Sequence, residues 1–254
     1  MTFDAAAVAA RITAGVDLID SGFPRELAHI APLTLPISIL VAANLTTADV
    51  AKALRSATGK ASRPTRERRL RGCLVAHRGF GMIFLDEDDP NMMRFALAHE
   101  LSHFVGHYLA RRELVIARMG SDIVNVLDGV RPATPQERLA GILTGCSLGA
   151  FTDVMEREDG VPLSTEAEIM EYEADEAAFL ALAPIGQVIA KTIDHYGKVD
   201  RPTATATLAK VFGLSDCDAN RHAPRVVNAA ARNRPSLIDQ LREAASEMKT
   251  ERHR

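Results

Sequence analysis

The chain has 254 residues, a net charge of −3 and 47% hydrophobic side chains, enough for a substantial core in one larger domain or in a domain with an appendage. The slightly acidic balance argues against a generally basic nucleic-acid binder. Three cysteines, Cys73, Cys146 and Cys217, with no C-x-x-C pair among them exclude a disulfide framework and a cysteine zinc knuckle.

Residues 4–21 read as a helix, but Asp4, Asp17 and Asp20 among alanines and valines do not form a signal peptide. The run Leu33 to Ala43 is too short to span a bilayer and carries Pro36. With the sparse cysteines, this predicts a cytoplasmic protein that does not engage a membrane. Residues 47–58 form a second helix, with Thr47 as cap and Gly59 past its end. These elements make an N-terminal helical appendage, residues 1–60. Lys60, Arg63, Arg66, Arg68, Arg69 and Arg71, opposed by Glu67 alone, then read as an exposed basic linker over 61–71. Cys73 to His77 and Met82 to Asp86 form a hairpin around Arg78-Gly79-Phe80-Gly81, and its edge is a candidate for pairing with an extended substrate.

The most informative stretch follows. After Pro90, with Asn91 as cap, apolar residues from Met92 to Tyr108 give a helix to about Arg111, and it contains His99-Glu100-Leu101-Ser102-His103. Histidines four residues apart share a helix face, about 5–6 Å apart at Cβ, so both imidazoles reach one metal ion. Glu100 is placed to take a proton from metal-bound water, which is the chemistry of a metallopeptidase. A third ligand belongs on another element. Thr134-Pro135-Gln136-Glu137 starts a helix toward Arg157 inside an insertion, residues 113–164. Beyond it, a helix starts at Ser164-Thr165, with Thr165 and Glu168 at capping-box spacing, and ends at Pro184. It carries Glu171 and Asp175 on one face. That spacing lets Glu171 bind the metal while Asp175 accepts a hydrogen bond from a ligand histidine. Glu173 and Glu176 compete for the ligand role, although Glu173 points about 200° around the helix from Glu171.

Helices over 184–196 and 202–212 complete a core from 72 to 200 and open a C-terminal helical region, 201–254. Phe212-Gly213-Leu214-Ser215 is similar to the turn of a helix-turn-helix, but Pro224 is expected to interrupt a recognition helix. Direct DNA binding is therefore not expected.

Three segments together resemble the ImmA/IrrE family of zinc metallopeptidases: Arg94 to His103, Glu171 to Ala178, and Leu182-Ala183-Pro184. The resemblance implies an α+β, predominantly helical, zincin-like metallopeptidase core with a small β-hairpin or sheet and extra helices. It also implies one zinc ion on His99, His103 and Glu171, with Glu100 as general base. Asp175 stands where the family usually has asparagine, Ala177 where it favours phenylalanine, and the segment between the two helices is long. By the same resemblance the partner is a protein substrate, a transcriptional repressor of a stress response or mobile element. A metzincin pattern fails, because its third ligand falls on Leu109; His107, about 12 Å along the axis from His99, reads as a residue that supports the ligands or packs. The oxyanion donor is left open among Tyr172, His195, Tyr196 and His222, and His77 reads as structural. The rival functions are a non-catalytic zinc-binding regulator acting by protein–protein contact and a DNA-binding regulator built on residues 201–228 and the basic linker.

Overall fold

The computed structural model describes residues 3–18, 22–59, 67–156 and 164–232. Asp4 caps α1 (Ala5–Ile12) by accepting from the Ala7 amide, and the helix stops well short of residue 21. After the short α2 (Leu27–Ile30), the apolar run that is too short for a membrane becomes strand β1 (Ile37–Val41). Its β-branched residues suit a pleated surface. Helix α3 (Thr47–Thr58) is capped by Thr46, one residue earlier than expected, and closed by Gly59 in the left-handed conformation.

The hairpin forms as β2 (Leu70–His77) and β3 (Phe80–Leu85). Arg78 and Gly79 both have positive φ, the requirement of a tight two-residue turn that follows the strand twist. Strand β2 begins inside the stretch read as linker, where Arg69 donates to Asn44 and Arg71 pairs with Glu87. Lys60, Arg63 and Arg66 lie outside the described residues.

The insertion corrects the expectation of one long helix. Its helix α7 ends at Thr144, closed by Gly145, and a strand, β4 (Phe151–Glu156), follows. The sheet order is β1-β3-β2-β4, with β1 parallel to β3 and the other pairs antiparallel. Strand β1 and helix α1, from the segment read as an appendage, belong to the same sheet and the same core as the site. Strand β2 is buried on both faces. Gly72, Leu74 and Ala76 face the long helix α4 (Pro90–Ser102), while Cys73 and Val75 meet α3, which explains a nearly continuous apolar run.

Helix α4 is capped by Asp89, not Asn91. Asp89 accepts from the Asn91 and Met92 amides, and Pro90 takes the first helical position, where no amide donor is required. The helix continues as a π-helical segment, His103–Leu109, and then as α5 (Ala110–Met119). Two short elements lie between α5 and α7: a 3-10 turn and α6 (Val124–Leu127). Helix α8 (Thr165–Leu182), capped by Ser164 and not Thr165, packs on α4 and α1. Helices α9 (Ile185–Tyr196), α10 (Arg201–Lys210) and α11 (Asp216–Arg232) pack on one another. Pro224 does not break α11, which runs through it to Arg232. Among the described residues no single helix is long and apolar enough to cross a membrane.

Candidate metal centre

Three elements converge on one point: the C-terminal turn of α4 with the start of the π segment, strand β4, and helix α8. Residues Phe95 to Ser102 are buried on all sides of α4, so His99 and Glu100 are held in the interior. His103 opens the π segment, a wider turn that recurs at functional sites. Nε2 of His99 and Nε2 of His103 lie 3.0 Å apart, and Glu171 reaches them at 3.2 and 3.6 Å. Asp153 of β4 approaches His103 Nε2 at 3.6 Å. One ligand atom from each of these four residues fits within 4.8 Å of the rest.

The remaining ring nitrogens are tied down. His99 Nδ1 donates to Asp175 at 2.9 Å, and Asp175 is held in turn by Arg221 at 2.9 Å. Behind His103 runs a longer chain, with His103 Nδ1 and His107 Nδ1 2.9 Å apart and His107 Nε2 3.1 Å from Glu173. A carboxylate only accepts, so His107 donates through Nε2, and as a neutral ring it accepts at Nδ1. His103 must then donate through Nδ1. Its Nε2 is left as a bare lone pair aimed at His99 Nε2, an arrangement that needs a proton or a cation between the rings. Phe3 stacks on His107 at 4.9 Å and lies over Gly106, where a Cβ would sit 2.3 Å from the ring.

Charge distribution favours the cation. Both oxygens of Glu100, which is fully buried, and Oδ2 of Asp153 find no hydrogen-bond partner among the described residues. Buried carboxylates without partners are costly unless neutralised or bound to metal. Burial and the neighbouring Asp153 push the Glu100 carboxyl well above its usual range, and burial with Glu171 nearby pushes Asp153 up to about 7. Burial opposes a charge on His99, but Asp175 and Glu171 outweigh it and raise the ring's pKa. Burial, reinforced by His99, His107 and Arg111, keeps His103 neutral, and burial holds His107 at about 4. The two imidazoles and the two carboxylates of Asp153 and Glu171 form a nitrogen and oxygen donor set that could hold a metal ion.

Of the residues expected from sequence, His99, Glu100, His103, Glu171 and Asp175 come together. Glu173 does not compete for the metal position; it holds His107, while Glu176 pairs with Arg225. Among the oxyanion candidates, Tyr172 is exposed and bonded by Arg225. His195 and Tyr196 are exposed at the end of α9, a helix that packs against α10 and α11. His222 packs against the rings of Phe95 and Phe179, with neither ring nitrogen hydrogen-bonded among the described residues and its pKa lowered to about 4 by burial, then by Arg221 and Arg225. A ring so enclosed is a core residue rather than an oxyanion donor. Asp153 was missed; once β4 is paired with β2, the alternation Phe151, Asp153, Met155 puts the carboxylate on the inner face of the strand. No family model matches the chain, and no curated protein matches it.

Proposed function

We propose that the chain is a zinc-dependent endopeptidase, with His99, His103 and Glu171 as metal ligands and Glu100 as general base. The observation that carries this reading is the convergence of two imidazole Nε2 atoms and the Glu171 carboxylate on one point, in the same core as a fully buried Glu100 whose oxygens have no hydrogen-bond partner among the described residues. When bound, zinc supplies Lewis acidity that polarises a carbonyl and brings the pKa of water toward ~7. The protein's own part is to place and hold. Glu100, with its basicity raised by burial, accepts a proton from the attacking water and delivers it to the leaving amine. Asp175 and the pair His107 and Glu173 fix the two ligand rings in the tautomers that present Nε2.

The ImmA/IrrE resemblance supports a protein substrate, a transcriptional repressor. Co-expression with a repressor encoded nearby, followed by mass spectrometry, tests the reading: a discrete fragment with wild type and none with Glu100→Gln is the expected result. An intact repressor in both cases defeats the peptidase. One observation favours a second reading, a closed metal site in a regulator that acts by contact: Asp153 offers a fourth protein ligand, and four ligands characterise structural sites.

A further inference from the structure

We propose that Asp153, carried by strand β4, is a fourth ligand that closes the metal centre at rest and that its carboxylate must withdraw before a substrate can take its place. The inference rests on the metal-centre reading and adds its regulation. In the register of the sheet, Asp153 lies opposite Leu74 of β2, one of the residues that face α4. Strand side chains alternate, so Phe151, Asp153 and Met155 point together toward the helix. Phe151 and Met155 pack against the main core, and Phe151 meets Tyr108, 6.1 Å between ring centroids. Their anchoring delivers the carboxylate between them to the two histidines. The Oδ2 atom has no hydrogen-bond partner among the described residues and stands 3.6 Å from His103 Nε2. A row of this kind has no reason to carry an ionisable group unless a cation receives it.

The strand also covers the edge of β2 that the hairpin would otherwise present to an extended peptide. Among the described residues β4 pairs with β2 alone, and the insertion that carries it is held to α5 through Arg111, which donates to the Gly145 carbonyl. A purely structural site would have no use for Glu100 beside it. A centre with a base, three ligands and a removable fourth has both states within reach: closed with Asp153 bound, open with it withdrawn.

The test uses the full chain loaded with cobalt in place of zinc, and acetohydroxamate, a chelator that needs open coordination positions. Asp153→Ala and the isosteric Asp153→Asn are each expected to bind acetohydroxamate at least about tenfold more tightly than wild type, with a changed visible spectrum. Metal affinity is expected to fall about tenfold or more, since even outer partners of ligands are worth 10–100-fold. The unmutated protein gives an answer that does not depend on how the variants fold. Ready uptake of acetohydroxamate by wild type, with an affinity matching Asp153→Ala, overturns the fourth ligand and leaves the metal centre standing. Failure of wild type to hold cobalt, or retention of cobalt by His99→Ala, overturns the centre and this proposal together.

Discussion

Removing the Glu173 carboxylate should weaken metal binding although it touches no ligand atom of the centre. Glu173 accepts from His107 Nε2 at 3.1 Å, and that single constraint dictates the proton positions along His107 and His103. With Glu173→Leu, His107 is free to carry its proton on Nδ1, and His103 then carries its own on Nε2, where it blocks coordination. A hydrogen bond to a charged group is worth about 1.5–3 kcal/mol and a neutral one about 1 kcal/mol. The Glu173 side chain is 24% exposed, which favours the lower half of that range. A loss of about 1–2 kcal/mol corresponds to roughly 5–30-fold in metal affinity. Competition against a chromophoric chelator measures it, with Glu176→Gln, on the same helix but paired with Arg225, as the control expected to change nothing. Glu173→Gln should fall between, because an amide can either accept from His107 or donate to it. If Glu173→Leu binds zinc as tightly as wild type, the proton chain does not set the His103 tautomer and the argument fails.

Glu100→Gln should retain zinc and lose roughly 10²–10⁴-fold in peptide hydrolysis, as removal of a general base does; loss of zinc in this variant would make Glu100 a ligand instead. His99→Ala and Glu171→Ala should both purify without stoichiometric metal by elemental analysis, whereas a metal-free Glu173→Ala beside a metal-replete Glu171→Ala would move the third ligand around α8. His222 has a folded pKa of about 4 against an ordinary 6.5, so it binds protons better when the chain is unfolded. Its contribution is level above about pH 6.5, and stability is lost as pH falls from there toward 4, by about 3 kcal/mol at most. His222→Phe should therefore gain stability over wild type in thermal melts at pH 5 and not at pH 8, and should leave peptidase activity in place; an inactive variant would return His222 to the catalytic site. Gly106→Ala should cost about 1–3 kcal/mol by overpacking against Phe3, and Phe3→Ala in the same chain should recover part of it in a double-mutant cycle.

What the sequence disclosed is local in character. His99, Glu100 and His103 are legible because four-residue spacing on a helix is itself a geometry, and Glu171 with Asp175 repeats it on α8. Caps were legible to within a residue or two: Thr134 with Pro135 and Glu137 stands where expected, while Asp89 and Ser164 displaced Asn91 and Thr165 by better use of their side-chain oxygens. Strands β1 and β4 were not legible, because a short apolar or mixed run declares itself a strand only once a partner is known, and their partners lie in the hairpin. Asp153 was hidden for the same reason. Pro224 misled, since α11 accommodates it without stopping.

The bond between His99 and Asp175 spans 76 positions of sequence. A ribosome adding about 5–20 residues per second completes α4 several seconds before α8 exists. During that interval the site has His99, His103 and His107 but neither Glu171 nor Asp175 of α8. The first half of the site alone therefore lacks the mixed donor set that could hold a metal ion. The set is complete only when two elements 76 positions apart meet, and contacts so distant in sequence are slow to form. Interactions formed after the folding barrier act on the rate of unfolding rather than folding. If the proposed zinc is bound there, it should lengthen the lifetime of the native chain and leave the rate at which it is reached nearly unchanged.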